Sequence, residues 1–322
     1  MADAGGLPPS QDLSSEHVID ELSRYGIHRI RDTSVPQIIV LSVMGGGFIT
    51  MGALFSVLLS EQVQTLGPRY LLQGFGFSAG FFFVILSGSI LFTEANVVLP
   101  STLLRQRPKL LLGRLVVFWA LAFIGNFLGA IVTSWLISRA QVYPPEMQQT
   151  LEAFVAKKTY YHSVGTPTAW FQALLSGVLA NWMVGMAAFF ATMGRTIIGK
   201  YIPVLLAVSL FCAANFQHSV ANMAYFGLIS AEGKGPGWWV ALSWNIIPVG
   251  IGNMIGGALL VALPFSYAFR AAHRGAAEGH LHRMVSPHCS PRAALSWSPP
   301  ATALISSCFS QVISGPPDPS PL

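Results

Sequence analysis

The chain reads Gly125-Asn126-Phe127-Leu128-Gly129-Ala130 in its third apolar stretch and Gly252-Asn253-Met254-Ile255-Gly256-Gly257 in its sixth. The two copies are 127 positions apart, and the second lies three apolar stretches after the first. If each stretch crosses a bilayer, an odd number of crossings makes the second copy enter the membrane from the opposite side. The pair therefore predicts two halves of three stretches each, related as an inverted repeat.

The composition is that of a protein folded in lipid. Hydrophobic residues make up 52% of the 322 residues, charged residues make up 10%, and the mean hydropathy is +0.56. A soluble domain carries about a quarter charged residues. We therefore expect an all-α integral membrane protein that is embedded in a lipid bilayer and has no nucleic-acid partner.

Six windows are long and apolar enough to cross a bilayer, a crossing that takes about 20 residues. They cover residues 33–60, 70–93, 115–138, 170–194, 201–231 and 235–269. We expect one transmembrane domain over residues 35–270. A partly helical cytoplasmic segment, 1–34, precedes it, with a short amphipathic helix over about 14–25. A Pro- and Ser-rich cytoplasmic tail, 271–322, follows it and is expected to be disordered.

The distribution of Lys and Arg predicts the orientation. With the N-terminus in the cytoplasm, thirteen of the eighteen Lys and Arg residues lie inside, and only Arg69, Arg139, Lys157, Lys158 and Lys234 lie outside. The positive-inside rule favours this arrangement, with both termini cytoplasmic. The acidic N-terminus resembles neither a secretory signal nor a transit peptide, so we expect a multi-pass protein of the plasma membrane.

The second and fifth segments are too long for simple spans. Residues 70–104 contain one charge, Glu94, and residues 201–231 contain no Asp, Glu, Lys, Arg or His other than His218. As straight helices they would measure about 50 Å and 45 Å, against a hydrocarbon core of about 30 Å. Polar clusters at 93–96 and 215–219 indicate where each helix breaks. Tilted helices with interfacial loops are the simpler alternative, but paired breaks in equivalent repeats are typical of transport sites.

The motifs resemble the formate/nitrite transporter family. The resemblance covers about residues 35–267, and the motifs that carry it are Leu91-Phe92-Thr93, the two Gly-Asn repeats, Ala180-Asn181-Trp182-Met183-Val184, His218-Ser219-Val220-Ala221-Asn222-Met223 and Asn245-Ile246-Ile247-Pro248-Val249. It implies an aquaporin-like protomer with its own pore, assembled as a homopentamer. It also implies transport of a small monovalent anion, such as formate, nitrite, lactate, bicarbonate or hydrosulfide, often with a proton.

The resemblance also implies which residues form the pore. Thr93 and the central His218 would meet across the midplane, next to polar Asn181 and Asn222. Apolar constrictions would be formed by Phe77, Phe81, Phe92, Val184 and Phe211. A neutral acid passes such a constriction far better than a hydrated anion. The imidazole would either protonate the anion or only polarise it, and the sequence leaves both open. Asn126 and Asn253 are interpreted as structural.

Two positions depart from the family pattern. Glu94 follows Thr93 directly, where a carboxylate would repel an anion; we interpret it as a cap on the second half-helix. The family's outer lysine falls on Gly165, as if residues 160–167 held an insertion, so Lys158 is only a candidate for the vestibule.

The leading hypothesis is a proton-coupled anion transporter, and the alternative is an uncoupled anion or neutral-solute channel. An enzyme is not expected, because no set of catalytic side chains, cofactor motif or metal-ligand cluster accompanies His218. A multi-span interaction protein would leave the paired breaks unexplained.

Overall fold

A computed structural model describes residues 12–106 and 112–269, and the described residues are helical with short connections. The tail at 271–322 lies outside the described residues. In chain order the helices are α1 (Ser15–Asp32), α2 (Val35–Ser60), α3 (Leu66–Ser87), α4 (Phe92–Gln106), α5 (Leu112–Ala140), α6 (Pro145–Val164), α7 (Pro167–Met193), α8 (Ile197–Ala213), α9 (Ser219–Ala231) and α10 (Trp238–Ala268).

The predicted membrane segments are confirmed as helices. Among the described residues, α2, α3, α5, α7 and α10 are each long and apolar enough to cross a membrane. Helices α8 and α9 are shorter apolar helices that follow one another across the fifth segment. Helix α10 contains two π-helical stretches, Leu242–Ile246 and Gly256–Ala262. The protein is thus an all-α integral membrane protein.

The repeat appears in the packing of the two halves. Helix α5 packs closely on α2, and α10 packs on α7. At Gly129 an added Cβ would lie 2.0 Å from the carbonyl oxygen of Val43, and at Gly256 it would lie 2.2 Å from that of Val178. Only glycine permits so close a backbone approach. The repeated motif therefore allows the same close packing of two helices in each half, α5 on α2 and α10 on α7.

Both predicted helix breaks are present. Helix α3 ends at Gly88, which has a left-handed φ of 65°, and α4 begins at Phe92. Helix α8 ends before Asn215, with φ 53°, and α9 begins at Ser219. The first break lies at 88–91, before the polar cluster at 93–96, because Gly88 supplies the left-handed turn that ends a helix. Thr93 therefore belongs to the first turn of α4.

Two helices differ from the sequence expectation. Helix α1 continues to Asp32, beyond the expected end near residue 25. Residues 145–164, which lie between the third and fourth predicted membrane windows, form the 20-residue helix α6. Helix α6 packs on α9 and approaches the start of α3, where Lys157 lies over the Tyr70 ring, while α1 packs on α4 and Arg29 bonds Gly88 at the end of α3. The face at the start of α3 is called the α6 face below, and the face at the end of α3 is called the α1 face.

Candidate pore site

The two helix breaks meet at Thr93 and His218. The Nε2 atom of His218 lies 2.9 Å from the hydroxyl oxygen of Thr93, although 125 positions separate them in the chain. Thr93 is fully buried and His218 is 1% exposed. Thr93 lies in the first turn of α4, and His218 is the N-cap of α9. The partially positive N-terminal ends of two half-helices therefore converge on this pair.

One asparagine in each half holds its broken helix. Asn126 accepts a hydrogen bond from the Phe92 N–H at 2.8 Å and donates to the carbonyls of Ser42 and Ile90 at 2.7 and 2.9 Å. Asn253 accepts one from the Ser219 N–H at 2.8 Å and donates to Gly177 and Gln217 at 2.8 and 3.3 Å. These carboxamides satisfy backbone groups that the breaks release, as buried polar groups require.

The hydrogen bonds of His218 define its tautomer. Its Nδ1 accepts the backbone N–H of Ala221 at 3.1 Å and caps α9. The neutral ring then carries its proton on Nε2 and donates it to the Thr93 oxygen. The Thr93 hydroxyl proton is thereby left for another acceptor. A second proton on the ring would have to enter at Nδ1 and would remove the helix cap.

Aromatic rings line the approach to His218 from the α6 face. The rings of Phe211 and His218 stack with centroids 5.6 Å apart, and Phe77 meets Phe211 edge to face at 5.6 Å. Phe77 also stacks on Tyr225 at 6.3 Å. These rings are buried. Two of the predicted constriction residues, Phe77 and Phe211, are thus next to the central pair, and Tyr225 extends the cluster.

The remaining predicted constriction residues are buried in the core. Phe81 lies one helical turn beyond Phe77 on α3, and Val184 lies on α7; each is 2% exposed. Phe92 is the first residue of α4, and its ring packs edge to face on Phe123 with centroids 4.9 Å apart. Phe92 is therefore adjacent in the chain to Thr93, while its ring contacts α5.

The two predicted pore amides bond to different groups near the central pair. Asn181 donates to the carbonyls of Thr93 at 3.2 Å and Asn253 at 2.7 Å. Asn222 donates to the side-chain oxygens of Gln217 at 3.0 Å and Asn245 at 2.5 Å. In the described part of the chain, the Oδ1 atoms of Asn181 and Asn222 are buried without a hydrogen-bond partner. Each is therefore an acceptor that no hydrogen bond of the described residues satisfies.

Lys158 lies inside the bundle rather than on its surface. Its Nζ is 4.9 Å from the ring centre of Tyr225, and the residue is 6% exposed. With Phe77, Phe211 and Cys212 it lines a cavity of about 50 Å³ on the α6 face. Burial lowers the pKa of Lys158 to about 8. Residues 160–164 form the last turn of α6, and Gly165 is the C-cap of this helix.

Glu94 lies in the first turn of α4, where a negative charge is favourable at a helix N-terminus. The side chain that bonds the first N–H of α4 is Asn126. Glu94 also lines a cavity of about 340 Å³ on the α1 face, with Tyr25, Arg29 and Ser89. Burial, followed by the negative charge of Glu94, raises the pKa of Tyr25 to about 12. The carboxyl therefore faces α1.

The family model for formate/nitrite transporters matches residues 16–267. The chain belongs to the formate/nitrite transporter family. It is 28% identical to the formate channel FocA of Escherichia coli strain K12 over 245 residues, which are 70% of this chain and 84% of that protein.

Solved structures of family members have the same fold. An FNT family ion channel superposes with a TM-score of 0.66 at 22% identity, covering 78% of this chain and 98% of that one. A pentameric formate channel with formate bound gives 0.59 at 19% identity, covering 73% and 97%. At the level of the family, the protein is a membrane transporter or channel rather than an enzyme.

Two polar residues at the transporter's centre, Asn245 and Asn96, were not assigned to the pore from the sequence, although both lie in stretches quoted above. Asn245 donates to the carbonyl of Lys158 at 2.9 Å and accepts from Asn222, and so connects the cavity on the α6 face to the central amides. Asn96 is fully buried, and neither of its amide atoms has a partner in the described part of the chain. Their positions in apolar segments were the available signal, because buried amides are costly without partners or permeant.

Proposed function

We propose that the protein carries a small monovalent anion, formate, nitrite or a related monocarboxylate, together with a proton, between Thr93 and His218. The observation that supports this most is the 2.9 Å contact of these side chains where two half-helices converge. Helix N-termini attract anions, and the free Thr93 hydroxyl proton is a donor for a carboxylate or nitrite oxygen. A formate channel among the relatives supports the choice of substrate.

The constrictions explain why a proton would travel with the anion. Phe77 and Phe211 on the α6 face offer no hydrogen bonds, and Phe81, Phe92 and Val184 add buried apolar side chains around the helix breaks. A naked anion there loses its hydration, whereas the neutral acid loses far less. The buried Oδ1 atoms of Asn181 and Asn222 would accept the acid's proton as a hydrogen bond.

Lys158 would concentrate the anion on the α6 face. The cavity that it lines also contains Lys157, so two cations lie above the aromatic constriction. Attraction of an anion raises its local concentration and its supply to the pore.

The wider setting follows from the same proposal. We place the transporter domain at residues 35–270, with residues 1–34 and the tail 271–322 in the cytoplasm. The bilayer would be the plasma membrane. The chain would form a homopentamer, like the formate channel of similar fold.

An uncoupled anion channel is the second candidate, and one observation favours it. Nδ1 of His218 accepts the Ala221 N–H, so that a doubly protonated ring would cost α9 its cap. A ring that stays neutral would polarise Thr93 and stabilise a passing anion without giving up a proton.

Transport into reconstituted vesicles tests both candidates. Labelled formate, nitrite, lactate, bicarbonate and hydrosulfide are supplied with and without an inward proton gradient. We expect gradient-driven uptake of formate or nitrite, and its loss in His218→Phe. His162→Phe, on exposed α6 surface, is the matched control. Uptake that ignores the gradient in the wild type supports the channel, and uptake of none of the five refutes transport of these anions.

A further inference from the structure

Glu94 is the one acidic side chain within the membrane segments that the structure describes. It follows Thr93 directly in the first turn of α4, on the side of the central pair that leads to the α1 face. Nothing in the central site uses it, because Asn126 holds the helix end. A carboxylate beside an anion path is costly unless it has a function or a counter-charge.

Arg29 from α1 faces this carboxyl and is itself fixed. Its Nε donates to the Tyr25 hydroxyl at 2.8 Å, and its Nη2 donates to the same hydroxyl and, at 2.5 Å, to the carbonyl of Gly88 at the end of α3. A guanidinium has five N–H donors. Within the described residues these bonds use three, and both donors on Nη1 remain for an anion.

The space between these groups is suited to proton exchange with water. Arg29, Tyr25 and Glu94 bound a small cavity of about 20 Å³, which is room for one water molecule. The same three residues line the 340 Å³ cavity of the α1 face. A proton on Glu94 can therefore reach water without passing the apolar constrictions.

We propose that Glu94 is the proton-exchange group of the α1 face and that Arg29 binds the conjugate anion beside it. This rests on the proposed function. When the neutral acid leaves Thr93 and His218, its O–H bond breaks and an O–H bond forms on the Glu94 carboxylate. The released anion pairs with Arg29, and Glu94 then passes its proton to water of the large cavity. Entry from the α1 face runs the same steps in reverse.

In this proposal the transported proton passes to Glu94, and His218 does not take it up. The neutral, Nε2-protonated ring keeps its cap on α9 throughout and only polarises the permeant through Thr93. The charged and titratable groups around Glu94 come from two sides: Glu21, Tyr25 and Arg29 from α1, and Arg195 and Lys200 from the start of α8 and its preceding connection. The neighbouring α5 contributes the apolar Phe118. Positively charged side chains thus outnumber acidic ones around the cavity of the α1 face.

The test is formate flux through vesicles of determined orientation, with the pH varied on one side at a time. In Glu94→Gln we expect the rate to fall by about 10²-fold, the lower end for a positioned proton-transfer group. The rate also becomes insensitive to pH on the α1 face while keeping its dependence on the α6 face. Glu152→Gln is the control, because Glu152 lies on α6 and pairs with Lys234 at 2.7 Å.

A second variant keeps the proposal testable if Glu94→Gln does not assemble. Arg29→Gln removes the cation that favours the carboxylate, so the midpoint of the α1-side pH profile moves to higher pH. An unchanged α1-side profile in whichever variant folds overturns the role of Glu94. Wild-type vesicles that take up no anion refute transport itself, which is a separate result.

Discussion

Asn126 and Asn253 each form hydrogen bonds with three backbone groups at a helix break, so a substitution of either should be poorly tolerated. Asn96 is equally buried, yet neither of its amide atoms has a hydrogen bond within the described residues. A comparison of these three residues therefore distinguishes buried amides that bond the backbone from one that is only buried. Removing bonded and unbonded carboxamides should have very different effects.

Asn126→Leu is expected to lower the free energy of unfolding by about 3 kcal/mol, because it leaves the Phe92 N–H and two carbonyls buried without partners. Asn96→Leu, the matched control, removes no side-chain hydrogen bond among the described residues and should be neutral or stabilising. Thermal unfolding of both variants in the same detergent is the measurement. Equal losses would contradict the role of Asn126.

Because Lys158 is titratable, we expect formate binding on the α6 face to depend on pH. Burial lowers its pKa to about 8, so its charge is present below that pH and is lost as the pH rises through it. The half-saturating formate concentration on this face should therefore increase over that range. Lys158→Met should raise it at every pH and abolish the dependence. Lys234→Met, at an exposed ion pair, should change neither; a pH dependence retained in Lys158→Met would exclude Lys158 as its source.

Residues that carry a motif could be predicted, whereas residues recruited by tertiary contact could not. The meeting of Thr93 and His218 follows from the repeat, because equivalent breaks in inverted halves converge at the midplane. Tyr225 belongs to none of the quoted motifs and takes part through its contact with Lys158. Asn245 begins a quoted motif, but its bond to the Lys158 carbonyl is not encoded by any spacing in the sequence. Glu94 lies in the first turn of α4, as its interpretation as a cap requires, but the sequence does not reveal that Asn126 bonds the first N–H of that helix.

At the scale of the helix, close packing and broken ends determine the architecture. The break in the second segment was predicted, but five residues too late, because the left-handed Gly88 ends α3 before the polar cluster begins. Helix α6 was missed because it is polar, with no apolar span to indicate it. Its stability comes from packing on α9 and α10 rather than from lipid.

Gly129→Ala tests the repeated packing motif. An added Cβ would lie 2.0 Å from the Val43 carbonyl oxygen, so α5 and α2 must separate. Overpacking of this kind costs about 1–3 kcal/mol. Gly113→Ala, in the same helix, has open space around the added carbon and is the control. Thermal unfolding should separate the two variants, and Gly256→Ala should behave like Gly129→Ala. Equal stability of all three would show that the close approach is unimportant.

At the scale of the whole molecule, long apolar stripes remain exposed. Helix α8 exposes Ile198, Ile202, Leu206 and Leu210, which are spaced four residues apart on one face. Helix α5 exposes a similar stripe through Leu128, Val132 and Trp135. Such faces are covered by lipid or by neighbouring protomers.

Native mass spectrometry of the protein in mild detergent tests the proposed assembly. We expect a particle of five copies of the 34.6 kDa chain, because the fold is similar to that of a pentameric formate channel. The Gly113→Ala variant should give the same mass. A predominant single chain under conditions that preserve transport would refute the pentamer and leave the pore of the protomer unaffected.

The carboxamide of Asn181 has a mechanical consequence. One side chain from the second half bonds a carbonyl of the first half, Thr93, and one of its own half, Asn253. Rocking the halves past each other would break buried hydrogen bonds at the pivot. We therefore expect the two halves to keep one arrangement during transport, without a movement of one half relative to the other. The speed of transport is then limited by how readily the permeant sheds its water, and not by the time a domain takes to move.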